Sequence, residues 1–218
     1  RQIFIIMKRN IRHTILICIL IMSVALGLFV NKVLTPKNLS IEEFKDLGVY
    51  LREPARNIRD FELINTDNKP FSQEDFIGKW NLIFFGFSFC PDICPITMSL
   101  LAKVQSSLET DEKNKVDFFM VTVDPERDSP ATLRMYLDNF SKTFIGLTGT
   151  LDQIYNFSTQ VNAPFSPVLN QEGSHYTVDH SGNIILINPE GKLAGIFKMP
   201  HDQKNITVAI ADLINRKY

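Results

Sequence analysis

The sequence predicts a three-layer α/β domain with a mixed central sheet, preceded by one transmembrane helix. Three observations carry this. Strand patterns alternate with helical patterns from Phe61 to Leu213, which is the signature of layered α/β packing. Residues Leu82–Phe87 form an unbroken apolar run, and Asp117-Phe-Phe-Met-Val-Thr-Val123 reads as a second buried strand. Both are what strands covered on two faces need. Asn183–Asn188 and Lys192–Phe197 then flank Pro-Glu-Gly191, a hairpin that adds antiparallel strands to the sheet.

The first 12 residues are basic, with Arg1, Lys8, Arg9 and Arg12. From His13 to Asn31 no residue carries a fixed charge. At about 1.5 Å per residue this run matches the hydrocarbon thickness of a bilayer. The basic flank predicts that residues 1–12 stay in the cytoplasm and that the remainder crosses. A cleaved signal would carry a shorter apolar region, about 7–15 residues, ahead of an A-x-A-like site. Leu28-Phe-Val-Asn-Lys32 offers no such site, so residues 13–31 read as an uncleaved anchor. Met7-Lys-Arg-Asn10 has the form of a start, which would make residues 1–6 an extension. Cys18 follows Ile17 rather than a small residue, so it reads as an inert membrane thiol and not as an acylation site.

Residues 32–53 read as a tether containing one short helix. Ser40-Ile-Glu-Glu43 is a capping-box pattern, with Ile41, Phe44 and Leu47 on one face and Gly48 as the stop. Pro54 opens the domain, which runs to residue 218. Phe61–Ile64 reads as a strand and Asn65–Pro70 as a turn. Phe71 returns, and Ser72, Glu74 and Asp75 suggest a helical turn. After the buried run 82–87, Ile96, Leu100, Leu101, Val104 and Leu108 recur at helical spacing over 94–109. Ser129 suits an N-cap and Pro130 a first turn for a helix to about Phe140. Phe144–Leu147 is a short strand, Asp152–Val161 a helix, and Ile206–Leu213 the closing helix.

Bulk composition narrows the function. The chain is 44% hydrophobic and 22% charged, with a net charge of -1, which gives no reason to expect nucleic acid. Three cysteines are too few for a disulfide framework. Two of them stand in Gly86-Phe-Ser-Phe-Cys90-Pro-Asp-Ile-Cys94-Pro95. If the soluble part lies outside the cytoplasm, its setting is oxidising, and a free cysteine pair there is not idle by default.

Cys90 follows a buried strand and precedes a helix, so it lies at the carboxyl end of a central strand, where open α/β sheets place ligands. A helix N-terminus favours the thiolate. If residues 90–94 are helical, a spacing of four puts both sulfurs on one face. Paired thiolates are soft ligands suited to Cu(I) or zinc. The same pair can form a disulfide, and two buried core thiols would be the bland alternative. Asp92 between them suits a helix's first turn better than a ligand role.

Of the four histidines, His13 lies in the membrane flank. His201, before the last helix, reads as a surface or capping residue. His180 and His175 remain, in a loop that leads into the strand from residue 183. Spacing favours His180 over His175 as a ligand without deciding it. Asp179 beside His180 is placed to order that loop or to stand behind the ligand. Asp124 ends the strand 117–123 near the same sheet edge, with an electrostatic role and a loop-capping role equally open.

With these pieces in order, the chain resembles the Sco/SenC family of copper-binding, thioredoxin-like proteins. The matching segments are Phe84-Phe-Gly-Phe87, Cys90-Pro-Asp-Ile-Cys94-Pro95, Val123-Asp-Pro-Glu-Arg-Asp128, Tyr176-Thr-Val-Asp-His180-Ser181 and Leu186-Ile-Asn-Pro-Glu-Gly191. The resemblance spans about residues 41–218. It implies a thioredoxin-like fold and copper held by Cys90, Cys94 and His180, as Cu(I) with Cu(II) left open, and it leaves His175 at the surface. It also implies support for assembly of the CuA centre of cytochrome c oxidase, with the subunit that carries that centre as partner. The support would be copper delivery, or reduction of that centre's cysteines by a thiol–disulfide oxidoreductase. The setting it implies is a bacterial periplasm or a mitochondrial intermembrane space.

Two other chemistries are weaker. A thiol peroxidase would want a threonine three residues before Cys90, where Phe87 stands. Structural zinc needs a fourth ligand, for which Asp124 is the nearest candidate in the sequence.

Overall fold

The computed structural model describes residues 2–34, 38–169 and 176–216. The chain divides between Asn38 and Leu39 into two units. In the first, α1 (Gln2–Leu34) is one helix whose stretch His13–Val30 is long and apolar enough to cross a membrane. Its side chains from 13 to 30 are all exposed within the unit. The length and apolar character of this stretch support membrane anchoring.

In the second unit the elements run α2 (Ile41–Asp46), β1 (Val49–Asn57), β2 (Leu63–Asn65), β3 (Pro70–Phe71), a 3-10 turn (Gln73–Phe76) and β4 (Trp80–Gly86). They continue with α3 (Ile93–Ser107), α4 (Thr110–Lys113), β5 (Val116–Thr122), α5 (Pro130–Leu137), β6 (Ile145–Thr148) and α6 (Leu151–Gln160). The chain closes with β7 (Phe165–Leu169), β8 (Tyr176–His180), β9 (Ile184–Ile187), β10 (Lys192–Phe197) and α7 (Gln203–Asn215). Eight strands form one mixed sheet in the order β1-β10-β9-β4-β5-β6-β2-β3, and β7 and β8 form a separate antiparallel hairpin. Among the described residues, only β4, β5 and β6 are parallel neighbours. This is the mixed, helix-flanked sheet of a thioredoxin-like fold.

The central strands are buried along their whole length, all seven residues of β4 and all four of β9. Alternation sorts their side chains between two faces. On one face, Phe85 and Phe119 meet Phe157 of α6 and Phe76 of the 3-10 turn, with ring centroids 5.7 and 5.3 Å apart. On the other, Gly86 faces Cys94 of α3 and Gly146 faces Leu133 and Leu137 of α5. α7 packs beside α3. Three layers result, and they put α3 directly over the end of β4.

The helix starts follow capping chemistry. Ser129 Oγ accepts from Thr132 N–H at 3.1 Å with Pro130 in the first turn, as the spacing predicts. Ser40 and Glu43 form the expected capping box at α2.

The sequence ends the tether at residue 53, but the compact unit begins at Leu39. Phe44 and Val49 are fully buried, and β1 is an edge strand on β10. β1 is hard to read because it carries Arg52, Glu53 and Arg56 and its register breaks between Leu51 and Arg56. The β7–β8 hairpin also differs from the expected loop. His180 ends a strand, opposite Phe165.

Candidate metal centre

The strand–loop–helix unit β4–α3 positions the two cysteines. β4 ends at Gly86, and Val123 N–H donates to the Gly86 carbonyl at 2.9 Å, which ties the strand end to the segment after β5. Cys90 N–H closes a turn on the Phe87 carbonyl at 3.2 Å. α3 starts only at Ile93, so Cys94 lies in its first turn while Cys90 lies in the loop. The loop, not a shared helix face, brings the sulfurs together. Cys94 is fully buried, Cys90 is half-buried and neither is in a disulfide. Asp92 is exposed at the N-cap and makes no side-chain cap bond.

His180 arrives at the same place from the end of β8. Its Nε2 is 3.5 Å from the Cys94 sulfur. The ligand atoms of Cys90, Cys94 and His180 all lie within 4.8 Å of one another. The imidazole stands edge-on to two phenyl rings, Phe84 at 5.7 Å and Phe87 at 6.0 Å between centroids. Its Nδ1 lies 3.1 Å from the Ser181 carbonyl oxygen. A carbonyl can only accept, so Nδ1 carries the proton and Nε2 presents a lone pair towards Cys94. Burial holds His180 below the usual imidazole range, against the opposing pull of the Ser181 carbonyl and the Asp179 carboxylate.

The Cys94 thiol sits in the first turn of α3, yet it is not acidified. Burial pushes it well above the ordinary thiol range, and the neighbouring Cys90 thiol pushes the same way. Desolvation of a fully buried sulfur outweighs the helix field. Without a cation, Cys94 holds its proton.

Gly86 is required by close approach. A Cβ there would lie 2.8 Å from the Cys94 sulfur and 2.8 Å from Cε1 of Phe84.

Behind the loop stands Asp128, fully buried. Its carboxylate accepts from Ser88 N–H at 3.0 Å, from the Ser88 hydroxyl and from the Thr122 hydroxyl at 2.7 Å. Burial raises its pKa, and these three donors oppose that rise. The role of Asp128 is invisible in the sequence, because a carboxylate after a strand looks like any loop acid.

Asp124 is also buried, and it pairs with Arg127, whose guanidinium lies over Phe87 at 5.6 Å and Phe89 at 5.2 Å. Asp124 therefore reaches the cysteine loop through Arg127 and is outside the cluster of three donors. Asp179 is exposed on β8 beside His180. His175 lies outside the described residues. His201 is not a cap: Asp202 caps α7, accepting from Asn205 N–H at 2.9 Å, while His201 bonds the Gly182 carbonyl.

Two thiols and an imidazole with a free lone pair form a soft donor set with little geometric demand. It fits monovalent copper, and among the described residues no fourth His, Cys, Asp or Glu joins it to complete a tetrahedral zinc site.

The family model described as SCO1/SenC matches residues 50–215. A protein of Stutzerimonas stutzeri, provisionally named copper-binding, is 39% identical over 153 residues, 70% of this chain and 74% of that protein. The mitochondrial SCO1 homolog 2 of Arabidopsis thaliana is 35% identical over 147 residues, 67% of this chain, and the match spans only 53% of that relative. A crystal structure of yeast Sco1 with copper bound superposes with a TM-score of 0.68 at 32% identity, covering 75% of this chain and 91% of that one.

Proposed function

The chain belongs to the SCO1/SenC family, and on that footing we propose that it is a membrane-anchored copper carrier whose cargo is held by Cys90, Cys94 and His180. Copper delivery to the CuA centre of cytochrome c oxidase is the task, and the subunit carrying that centre is the recipient. The compartment is the bacterial periplasm or the mitochondrial intermembrane space.

One observation carries this reading: three soft or borderline donors, distant in sequence, lie within 4.8 Å of one another. Cu(I) bound there would meet two thiolates and a neutral imidazole. Binding expels the thiol protons, because only the thiolate ligates. The His180 lone pair is already exposed on Nε2, so no proton has to leave the ring. The Phe84 and Phe87 rings exclude water from the imidazole on two sides. Cys90 is the more exposed sulfur, so it is the one an incoming thiolate reaches first during exchange. Asp179 and Asp124 act behind the ligands, Asp179 through the His180 ring and Asp124 through Arg127.

The test is a Cu(I) titration of the reduced chain in detergent against a chelating competitor. About one tightly held copper per chain, lost in Cys90→Ala, Cys94→Ala and His180→Ala, is expected. Tight binding that survives His180→Ala removes the three-donor site.

A second reading has its own observation. Cys90 and Cys94 are free, with their sulfurs within 4.8 Å of each other, one half-exposed and one buried. That is the arrangement of a nucleophile and a resolving thiol. The attacking thiolate would open a partner disulfide, and the second would release the partner as two thiols, leaving a Cys90–Cys94 disulfide. Catalytic disulfide reduction by a chain that binds no copper would favour it.

A further inference from the structure

The segment between β10 and α7 leans on the turn that follows His180. His201 Nε2 lies 2.8 Å from the Gly182 carbonyl oxygen. The carbonyl accepts, so Nε2 carries the proton and Nδ1 a lone pair. That Nδ1 is buried and has no hydrogen-bond partner among the described residues. The ring's polar contact is therefore with one carbonyl. Burial lowers the affinity of His201 for a second proton, in keeping with a neutral ring. Met199 braces the same turn. Its N–H donates to Asn183 Oδ1 at 3.4 Å, and its thioether packs so closely on Gly182 that a Cβ there would lie 2.1 Å from the sulfur.

One residue earlier, the His180 Nδ1–H donates to the Ser181 carbonyl. Two successive carbonyls thus each accept from an imidazole, Ser181 from the ring of His180 itself and Gly182 from His201. If the turn rotated, the Ser181 carbonyl would swing out of reach of His180. The ring would then lose the bond that keeps its proton on Nδ1 and its lone pair towards Cys94. Glycine at 182 has the least resistance to such a rotation. An outside partner on its carbonyl supplies the restraint that the residue itself lacks.

We propose that His201 is a positioning residue for the copper site: by holding the Gly182 carbonyl it fixes the Ser181 peptide, and through it the tautomer and direction of the His180 ring. The inference rests on His180 being a copper ligand. The role belongs to the N–H of the ring and not to its bulk. A glutamine amide, of similar reach, can therefore replace it and a leucine cannot.

The test uses the full chain in detergent, loaded with one Cu(I), and follows metal loss to a chromogenic chelator. His201→Leu should lose copper about three- to tenfold faster, less than the 10–100-fold typical of a direct partner of a ligand. His201→Gln should stay within about twofold of the parent, as expected where the hydrogen bond is kept. Loaded with Cu(II), His201→Leu should show a shifted thiolate-to-copper charge-transfer band and His201→Gln the parental one. A merely structural loss would not produce that pattern. His180→Ala is measured alongside. If it retains copper like the parent, the ligand set fails and the inference with it. If it loses copper while His201→Leu matches the parent in rate and band, the ligand set stands and the positioning role of His201 is overturned. Should His201→Leu not fold, His201→Asn replaces it, because its amide is too short to reach Gly182. Fast loss in His201→Asn beside slow loss in His201→Gln supports the proposal, and equal rates overturn it.

Discussion

The Nε2 of His180 lies 3.5 Å from the Sγ of Cys94 across 86 residues of chain. Cys94 is placed by the first turn of α3 against Gly86, and His180 by the end of the β7–β8 hairpin and the turn after it. The elements behind the three donors can therefore be tested one by one.

Gly86→Ala tests the close approach. The new methyl would meet the Cys94 sulfur and the Phe84 ring at 2.8 Å, inside contact distance. The expected outcome is a loss of about 1–3 kcal/mol from overpacking. A lower urea midpoint together with weaker Cu(I) retention checks it. Parental retention would mean that the sulfur is free to move and that Gly86 is not required by the site.

Asp128→Asn tests the support of the cysteine loop. The carboxylate accepts from two hydroxyls and one N–H. An amide leaves one of these donors facing another donor in a buried place, at a cost of about 1–3 kcal/mol. Urea unfolding measures it. The copper dissociation rate should rise as well, because Ser88 lies two residues from Cys90. Thr122→Val removes one of these donors and also the acceptor of the buried Asp124 N–H at 2.9 Å, so it too should lower the urea midpoint.

The sequence makes the centre of the fold legible and leaves its margins obscure, for physical reasons. β4 and β9 are buried on both faces, so their apolar runs are unbroken, and α5 announces itself by Ser129 and Pro130. β1 is an edge strand with charged residues and a broken register, and β8 is part of a two-stranded hairpin outside the sheet, so neither carries a strong pattern. The cysteine pair could be read from its place between strand and helix. His180 could not be chosen over His175 by spacing, and it took the family resemblance to single it out. The upward shift of Cys94 is not legible in the sequence, because the depth of its burial is not. His201 was misread because its partner, Gly182, is brought to it only by the packing of β10 against β9.

The copper-free protein should lose stability in mild acid. Burial holds His180 and His201 below the usual imidazole range. Unfolded, both bind a proton near pH 6.5. As the pH falls below that value the unfolded chain takes up protons that the folded chain refuses, so stability falls with pH. His180 feels the Asp179 carboxylate and the Ser181 carbonyl, which soften the effect without reversing it. Asp128 acts the other way, because its raised pKa contributes stability that is lost as the pH climbs from about 3.8 through its folded value. The urea midpoint should therefore drop between pH 7.5 and 5.5. In a His180→Gln/His201→Gln double variant the drop should be smaller. An unchanged slope would show that neither ring is responsible.

Alkylation separates the two thiols. Cys94 is fully buried, and burial holds its proton well above the ordinary range, whereas Cys90 is half-exposed. Only the thiolate attacks, and each unit of raised pKa removes about tenfold of it. In a Cys18→Ser background, iodoacetamide at pH 8 should modify Cys90 at least ~100-fold faster than Cys94, as peptide mass spectrometry would resolve. Cu(I) should protect Cys90, since coordination draws charge from the sulfur and makes it a weaker nucleophile. If Cys94 reacts as fast as Cys90, then the loop opens on the timescale of the experiment. Burial would not then govern this sulfur, and entry of copper would begin at either thiol instead of at Cys90.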